Sequence, residues 1–296
     1  MRNWLEYIPF ITIATLVRAL PRGIALALGR RLGALGRLLQ PKRVAITDDN
    51  LRQALPELTE SQRQELIREV FTNLGLGFIE MLRLDLFDGK YDLDRLFSIE
   101  GEEHLHTAMA MKRGCILLTG HLGFWEAGSF VFPVLGLPVA VVAKPMRNPL
   151  VDAYFRRLRQ NYGAYLIDSK KGARRIFKAL QQNHAVGILM DQHITQREAV
   201  AVPFFGRLAH TTPIIAQIAI KNRIPIVPAF AYRNADNSYR AVISPPFVLD
   251  GEANQENILA ATTRLTRCIE DAVRKEPGQW FWVHRRWRHC CETNHG

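Results

Sequence analysis

The segment Cys115-Ile116-Leu117-Leu118-Thr119-Gly120-His121-Leu122-Gly123-Phe124-Trp125-Glu126 passes from one periodicity to another. Its first five residues read as a buried strand, Gly120 as the break, and 124–134 as the helix that follows. A histidine and a carboxylate five residues apart lie roughly 140° apart on one ideal helix, at about 100° per residue. They form a base and its orienter only if the chain bends between strand and helix. The spacing therefore places His121 at the start of the helix and Glu126 in its first turns, with backbone N–H groups facing a bound substrate. A capping histidine followed by an exposed helical glutamate fits the same spacing.

This alternation repeats along the chain. Apolar runs at 115–119, 139–143, 164–167, 185–190 and 224–231 are separated by helical periods at 124–134, 149–161, 171–181 and 212–221. Strands spaced by helices of about ten residues predict βαβ units, hence an α/β fold with a mostly parallel central sheet flanked by helices. An added strand is expected at 239–243 and a long helix at 255–276. Before the sheet, 47–73 reads as a helical hairpin, with Thr59-Glu60-Ser61 capping its second arm. In open α/β sheets, ligands collect at the carboxyl ends of strands. Three polar clusters fall there: His121 after the first run, Lys144-Pro145-Met146-Arg147 after the second, and Asp191-Gln192-His193 after the fourth.

An imidazole held by a carboxylate suits removal of a proton from a hydroxyl that attacks an acyl carbonyl. The motif contains no serine or cysteine nucleophile, and Cys115 lies inside the strand, so direct attack is preferred over an acyl-enzyme. Arg156, Arg157 and Arg159 end the second helix; they are either a solvated face complementing the helix dipole or guanidinium donors for an anion. Lys144, Arg147, Lys170 and Lys171 fall near the same rim. Phe204-Phe205-Gly206 reads as a loop, lining an acyl-chain channel or folded back on the core. Thr211 or Thr212 is expected to cap the helix after it.

The net charge of +11 favours an anionic partner. Residues 1–45 carry eight Arg or Lys against Glu6 alone, so seven of those eleven charges lie there. The apolar residues from Ile8 to Leu28 are interrupted by Arg18 and Arg22, short of the roughly 20 uncharged residues of a comfortable span. Residues 1–45 are thus expected to be a basic N-terminal membrane anchor or interfacial helix, with 46–296 the catalytic domain; an amphipathic helix packed on that domain is the alternative. The four cysteines have no disulfide-framework spacing, which suits a reduced, cytoplasmic compartment. Trp280 to Arg288 interleaves aromatics with cations, as nucleic-acid or interfacial membrane contacts do. His289, Cys290, Cys291 and His295 lack the paired spacing of a zinc site, and no metal is expected.

Taken in order, Gly120-His121-x-x-x-x-Glu126, Lys144-Pro145, Asn148-Pro149-Leu150, Arg159-x-x-x-Gly163, Asp191-Gln192, Phe204-Phe205-Gly206 with Thr211-Thr212, Ile226-Val227-Pro228 and Trp282-Val283-His284-Arg285-Arg286 resemble the lipid A late acyltransferases. The resemblance covers roughly residues 5–290. Wider relatives, the glycerolphosphate and lysophospholipid acyltransferases, usually have Asp where this chain has Glu126. The resemblance implies acyl transfer from an acyl carrier protein thioester to a hydroxyl of a Kdo-bearing lipid A precursor. The enzyme would sit at the bacterial inner membrane with its site on the cytoplasmic side, needing no cofactor and no nucleic acid. His121 would be the general base and Glu126 its partner. Lys144, Arg147, Arg159, Asp191 and Gln192 would bind substrate, although Gln192 stands where the wider group has glycine. A rival within the class acylates another glycolipid or a lysophospholipid from acyl-CoA; a rival outside it binds anionic lipid or nucleic acid without catalysis.

Overall fold

The computed structural model describes residues 1–169, 172–288 and 290, so Lys170, Lys171, His289, Cys291 and His295 lie outside the described residues. Four helices open the chain: α1 (Arg2–Ala19), α2 (Arg22–Leu39), α3 (Pro41–Ala54) and α4 (Glu60–Leu82). Pro41 begins α3, where its missing N–H would be unpaired in any case. Thr59 begins α4 with a reciprocal pair of hydrogen bonds to Gln62, as its position before the helix predicts.

Backbone contact fastens α2 to α4. A Cβ on Gly75 would stand 2.1 Å from the carbonyl oxygen of Gly29, and one on Gly33 would stand 2.3 Å from that of Phe71. In contrast, α1 buries only Ala14 and Val17. The outward faces of both helices are apolar and open, with Trp4, Leu5, Ile8 and Leu16 on α1 and Leu35, Leu38 and Leu39 on α2. No helix among the described residues is long and apolar enough to cross a membrane.

After α5 (Gly89–Leu96) the chain enters the sheet with β1 (Phe97–Glu100), α6 (Glu102–Ala110) and β2 (Cys115–Thr119). It continues through α7 (Gly128–Val134), β3 (Val139–Ala143), α8 (Pro149–Gln160), β4 (Tyr165–Asp168), α9 (Gly172–Gln181) and β5 (Ala185–Leu189). A hairpin, β6 (Val200–Phe204) and β7 (Arg207–Thr211), precedes α10 (Ile214–Asn222), β8 (Ile226–Arg233), β9 (Tyr239–Ile243) and α11 (Gln255–Lys275). The seven-stranded sheet runs β1-β9-β8-β2-β5-β3-β4. Only β8 and β9 pair antiparallel within it, so the expected α/β architecture with a mostly parallel sheet is present.

Several local features differ from these expectations. The four-residue β1 goes unread because so short a run carries no period. The expected loop around Phe204-Phe205-Gly206 is a hairpin, whose turn residues Phe205 and Gly206 have φ of 52° and 73°. Two successive positive φ values are what a tight two-residue turn needs, and a phenylalanine there gives no sequence signal. Neither ring lines a channel: both are buried against Trp280, Trp282 and Trp287. Those indoles are themselves core, so they are not the nucleic-acid or membrane contacts that the mixed aromatic and basic tail suggests. Finally, α10 begins after Pro213: of the two expected capping residues, Thr212 accepts the Ile214 N–H at 3.5 Å, and Thr211 accepts a hydrogen bond from the buried Arg286.

Candidate active site

Parallel pairing sets the centre of the site. Cys115 to Thr119 of β2 lie beside Ala185 to Leu189 of β5, in register. Two residues beyond the last pair stand His121 and Asp191. The His121 Nδ1 lies 2.8 Å from Asp191 Oδ1, and the His121 backbone N–H donates to Oδ2 at 2.7 Å. Trp280 Nε1 also donates to Oδ2 at 2.7 Å. A carboxylate only accepts, so a neutral imidazole here carries its proton on Nδ1 and its lone pair on Nε2. Burial pushes the Asp191 carboxyl upward, but the His121 and Trp280 contacts outweigh it and hold the group down at about 2. The imidazole is flanked by Trp125 and Phe281, with ring centroids 5.4 and 5.8 Å away. On its far side, Gln192 Nε2 lies 3.3 Å from His121 Nε2.

The pleat builds a cavity beneath this group. Successive strand residues face opposite sides; Ile116, Leu118, Val186 and Ile188 pack into the main core with α9, α10 and α11. Their neighbours Leu117, Thr119, Gly187 and Leu189 face the other way, with Val139 and Val141 of β3, Ala229 of β8 and Ile243 of β9. Gly128, Ser129, Val131 and Phe132 of α7 cover them, enclosing about 400 Å³. Small side chains keep the space open: Gly187, Ala143, Ala229, Ala231 and Ala241 all line it. The mouth is polar, formed by His121, Trp125, Glu126, Lys144, Arg159 and Gln192. A single apolar recess with a few convergent polar groups at its opening is a shape suited to a hydrocarbon tail attached to a reactive head.

Glu126 does not orient His121, which corrects the expected pairing. Its carboxylate is clasped by Arg159 on α8, with Nε and Nη2 at 2.8 and 2.7 Å from its two oxygens. The turn explains this: 121–124 bridge to neighbouring segments, and Glu126 falls in a short 3₁₀ turn, 125–127, ahead of α7. Burial lowers the Arg159 pKa, but the bond and charge of Glu126 outweigh it and raise the net value. Gly123 adopts φ 58° and lies so close to β8 that a Cβ would meet the Ala231 carbonyl oxygen at 2.1 Å.

The expected backbone donors are also engaged elsewhere. The N–H of His121 is on Asp191, that of Leu122 on Gly120, that of Gly123 on Gln279 and that of Phe124 on Ala231. Charge developing at the mouth must be met by side chains or by residues beyond Phe124. Of the expected binding residues, Lys144, Arg159 and Gln192 line the mouth, and Asp191 lies behind it. Arg147 is exposed and lies outside the lining.

A C-terminal segment, read from its composition as a nucleic-acid or membrane contact, instead completes the wall. Phe281 donates its N–H to the His121 carbonyl at 3.1 Å. His284 Nε2 accepts the His193 N–H at 2.9 Å, fixing the backbone beside Gln192. Burial pushes the His284 imidazole down to about 4, with Arg286, His121 and His193 adding to the fall against the opposing pull of Asp191. The motif spacing contains these residues, but their approach to His121 from across the sheet leaves no local trace.

The site geometry meets a clear set of likenesses. The family model for bacterial lipid A biosynthesis acyltransferase matches residues 1–289. The lipid A biosynthesis lauroyltransferase of Escherichia coli (strain K12) is 29% identical over 293 residues, 97% of this chain and 92% of that protein. The palmitoleoyltransferase of the same strain is 27% identical over 294 residues, again 97% and 92%. The phosphatidylinositol mannoside acyltransferase of Mycobacterium tuberculosis (strain ATCC 25618 / H37Rv) is 23% identical over 199 residues, 66% of this chain and 60% of that protein. With its imidazole–carboxylate pair above an apolar recess and a family match along nearly its whole length, the chain is an acyltransferase and belongs to the bacterial lipid A biosynthesis acyltransferases.

Proposed function

We propose that the protein transfers a fatty acyl group from an acyl carrier protein thioester to a hydroxyl of a Kdo-bearing lipid A precursor, at the cytoplasmic face of the bacterial inner membrane. The observation that carries this reading is the imidazole at the mouth of the apolar cavity, with its Nδ1 on Asp191. In this mechanism the acyl tail fills the cavity and its thioester stops at the mouth. The acceptor hydroxyl takes the place of the Gln192 amide at His121 Nε2 and gives up its proton there. Its oxygen bonds to the acyl carbon, the carbon–sulfur bond breaks, and the leaving thiolate takes the proton back from the imidazolium.

Asp191 holds the tautomer and stabilises the transient cation. Glu126 keeps Arg159 in place, and the guanidinium nitrogen not engaged by Glu126 and the displaced Gln192 amide serve the developing oxyanion. The reaction as written uses no resident cofactor. Membrane association is supported by the open apolar faces of α1 and α2, which carry Arg30 and Arg31 beside Leu32 and Leu35. Lys144 and Arg147, exposed beside the mouth, suit an acidic carrier.

The test combines purified protein, acyl carrier thioester and lipid A precursor. Acyl transfer by the native protein and its loss in His121→Ala are expected; full activity in that variant would overturn the mechanism. Mass spectrometry of lipid A from a deletion strain should show one acyl chain missing. Unchanged lipid A, with a change in another glycolipid, would reject the acceptor.

A further inference from the structure

The proposed reaction passes through no acyl-enzyme, so His121 activates whichever hydroxyl reaches its Nε2. Water carries a hydroxyl too, and it is far more concentrated than any lipid acceptor. When water attacks, its oxygen bonds to the acyl carbon and the carbon–sulfur bond breaks. The water proton passes through His121 Nε2 to the departing thiolate, leaving a free fatty acid and a free thiol. A donor bound before its acceptor is lost in this way unless the base is withheld.

The surroundings of the imidazole withhold it. Asp191 takes the Nδ1 side at 2.8 Å, and the Trp125 and Phe281 rings flank the imidazole at 5.4 and 5.8 Å. His121 nevertheless lines the cavity mouth, with 22% of its side chain exposed. Because Asp191 fixes the proton on Nδ1, Nε2 presents a lone pair, and the Gln192 amide nitrogen stands 3.3 Å from it. An amide N–H is the complementary donor, and it occupies the orbital that would otherwise take a proton.

The amide is held loosely, its backbone firmly. A separation of 3.3 Å is at the long end of the hydrogen-bond range, so a well-placed hydroxyl can replace it. The chain on either side is pinned: Asp191 accepts three hydrogen bonds, and the His193 N–H donates to His284 Nε2 at 2.9 Å. The amide therefore leaves Nε2 by rotation of its own side chain, without movement of the strand end. An acceptor anchored through the rest of its structure has binding energy to drive that rotation. A water molecule has none.

We infer that Gln192 is a specificity-determining residue: its amide covers the base while the donor waits and yields to the bound acceptor hydroxyl, so the acyl group goes to the acceptor and not to water. The inference rests on the proposed direct attack by the acceptor at His121.

The test uses Gln192→Met, which keeps the length of the side chain and removes the N–H. Two rates are measured on purified protein: hydrolysis of the acyl carrier thioester without acceptor, as free fatty acid, and transfer to saturating lipid A precursor. At saturation the acceptor has already displaced the amide, so transfer gains nothing from its absence. Help from the amide to the oxyanion is lost in both reactions and cancels in their ratio. The ratio of hydrolysis to transfer should rise roughly three- to tenfold, as the loss of one modest hydrogen bond predicts, and adding His121→Ala should abolish the extra hydrolysis. A general structural defect lowers both rates and leaves the ratio in place. An unchanged or lower ratio would overturn the inference, as would extra hydrolysis that survives His121→Ala. Gln192→Ala is read in the same way should the methionine variant melt below the native protein. If native protein acylates no lipid A precursor, the proposed function fails by itself. The role of Gln192 is then judged by hydrolysis of carrier and coenzyme A thioesters, which needs no acceptor; equal rates in native and variant protein, zero included, would overturn it.

Discussion

Asp191 holds His121 at two points, through the imidazole Nδ1 at 2.8 Å and the backbone N–H at 2.7 Å, although seventy residues separate them. One carboxylate therefore sets both the ring's tautomer and the position of the chain carrying it. Asp191→Asn places an amide where only an acceptor fits, so kcat should drop about 10²–10⁴-fold, close to the loss in His121→Ala. Steady-state rates of the single and double variants check this, and the double should be little worse than either single.

Glu126 acts through Arg159 instead. Removing either should give a similar fall in activity, and removing both should add little, because the pair is one unit. A double-mutant cycle with Glu126→Ala and Arg159→Ala measures this coupling. Full additivity would show that the two act separately.

The cavity should read acyl length. A Cβ at Gly187 would meet nothing closer than the Ala140 carbonyl oxygen at 3.8 Å, so a side chain fits on the strand and extends into the space. Gly187→Leu should move preference toward shorter chains, by roughly tenfold or more against the native donor. Competing thioesters of different length, read by mass spectrometry of the product, measure the shift.

His284 links stability to pH. Its ordinary value near 6.5 falls to about 4 in the folded protein. Between those values the unfolded chain binds the proton and the folded chain does not, so this contribution is complete above about 6.5 and is lost as pH falls toward about 4. His284→Gln keeps an acceptor for the His193 N–H and removes the titration. Thermal melts across this window should show a shallower pH slope in the variant.

Behind the turn, Glu80 forms an ion pair with Arg233 and accepts the Tyr239 hydroxyl at 2.6 Å. Burial acts to lower the Arg233 pKa, and the charge and bond of Glu80 outweigh it and raise it. Glu80→Ala leaves a guanidinium buried without its carboxylate, at a cost of about 3–5 kcal/mol. Denaturant titration should show this as a lower midpoint with little change of slope.

Short-range order is legible in the chain itself. The bounds of β2, β3, β9 and α11 follow from period and caps, and so does the placing of polar clusters at strand ends, because those signals depend on neighbours a few residues away. His121, Lys144 and Gln192 come together as that rim predicts, and Arg159 joins them from the end of α8. The partner of His121 is different in kind. Glu126 is near in sequence, but Asp191 reaches the imidazole because β5 inserts beside β2 in register, a choice of strand order that no local pattern carries. The same holds for Phe204, Phe205 and the three buried tryptophans, whose composition suits a channel or a membrane surface equally well. Their burial follows from the hairpin turn and from α11 packing against it, long-range contacts that exist only once the sheet has formed.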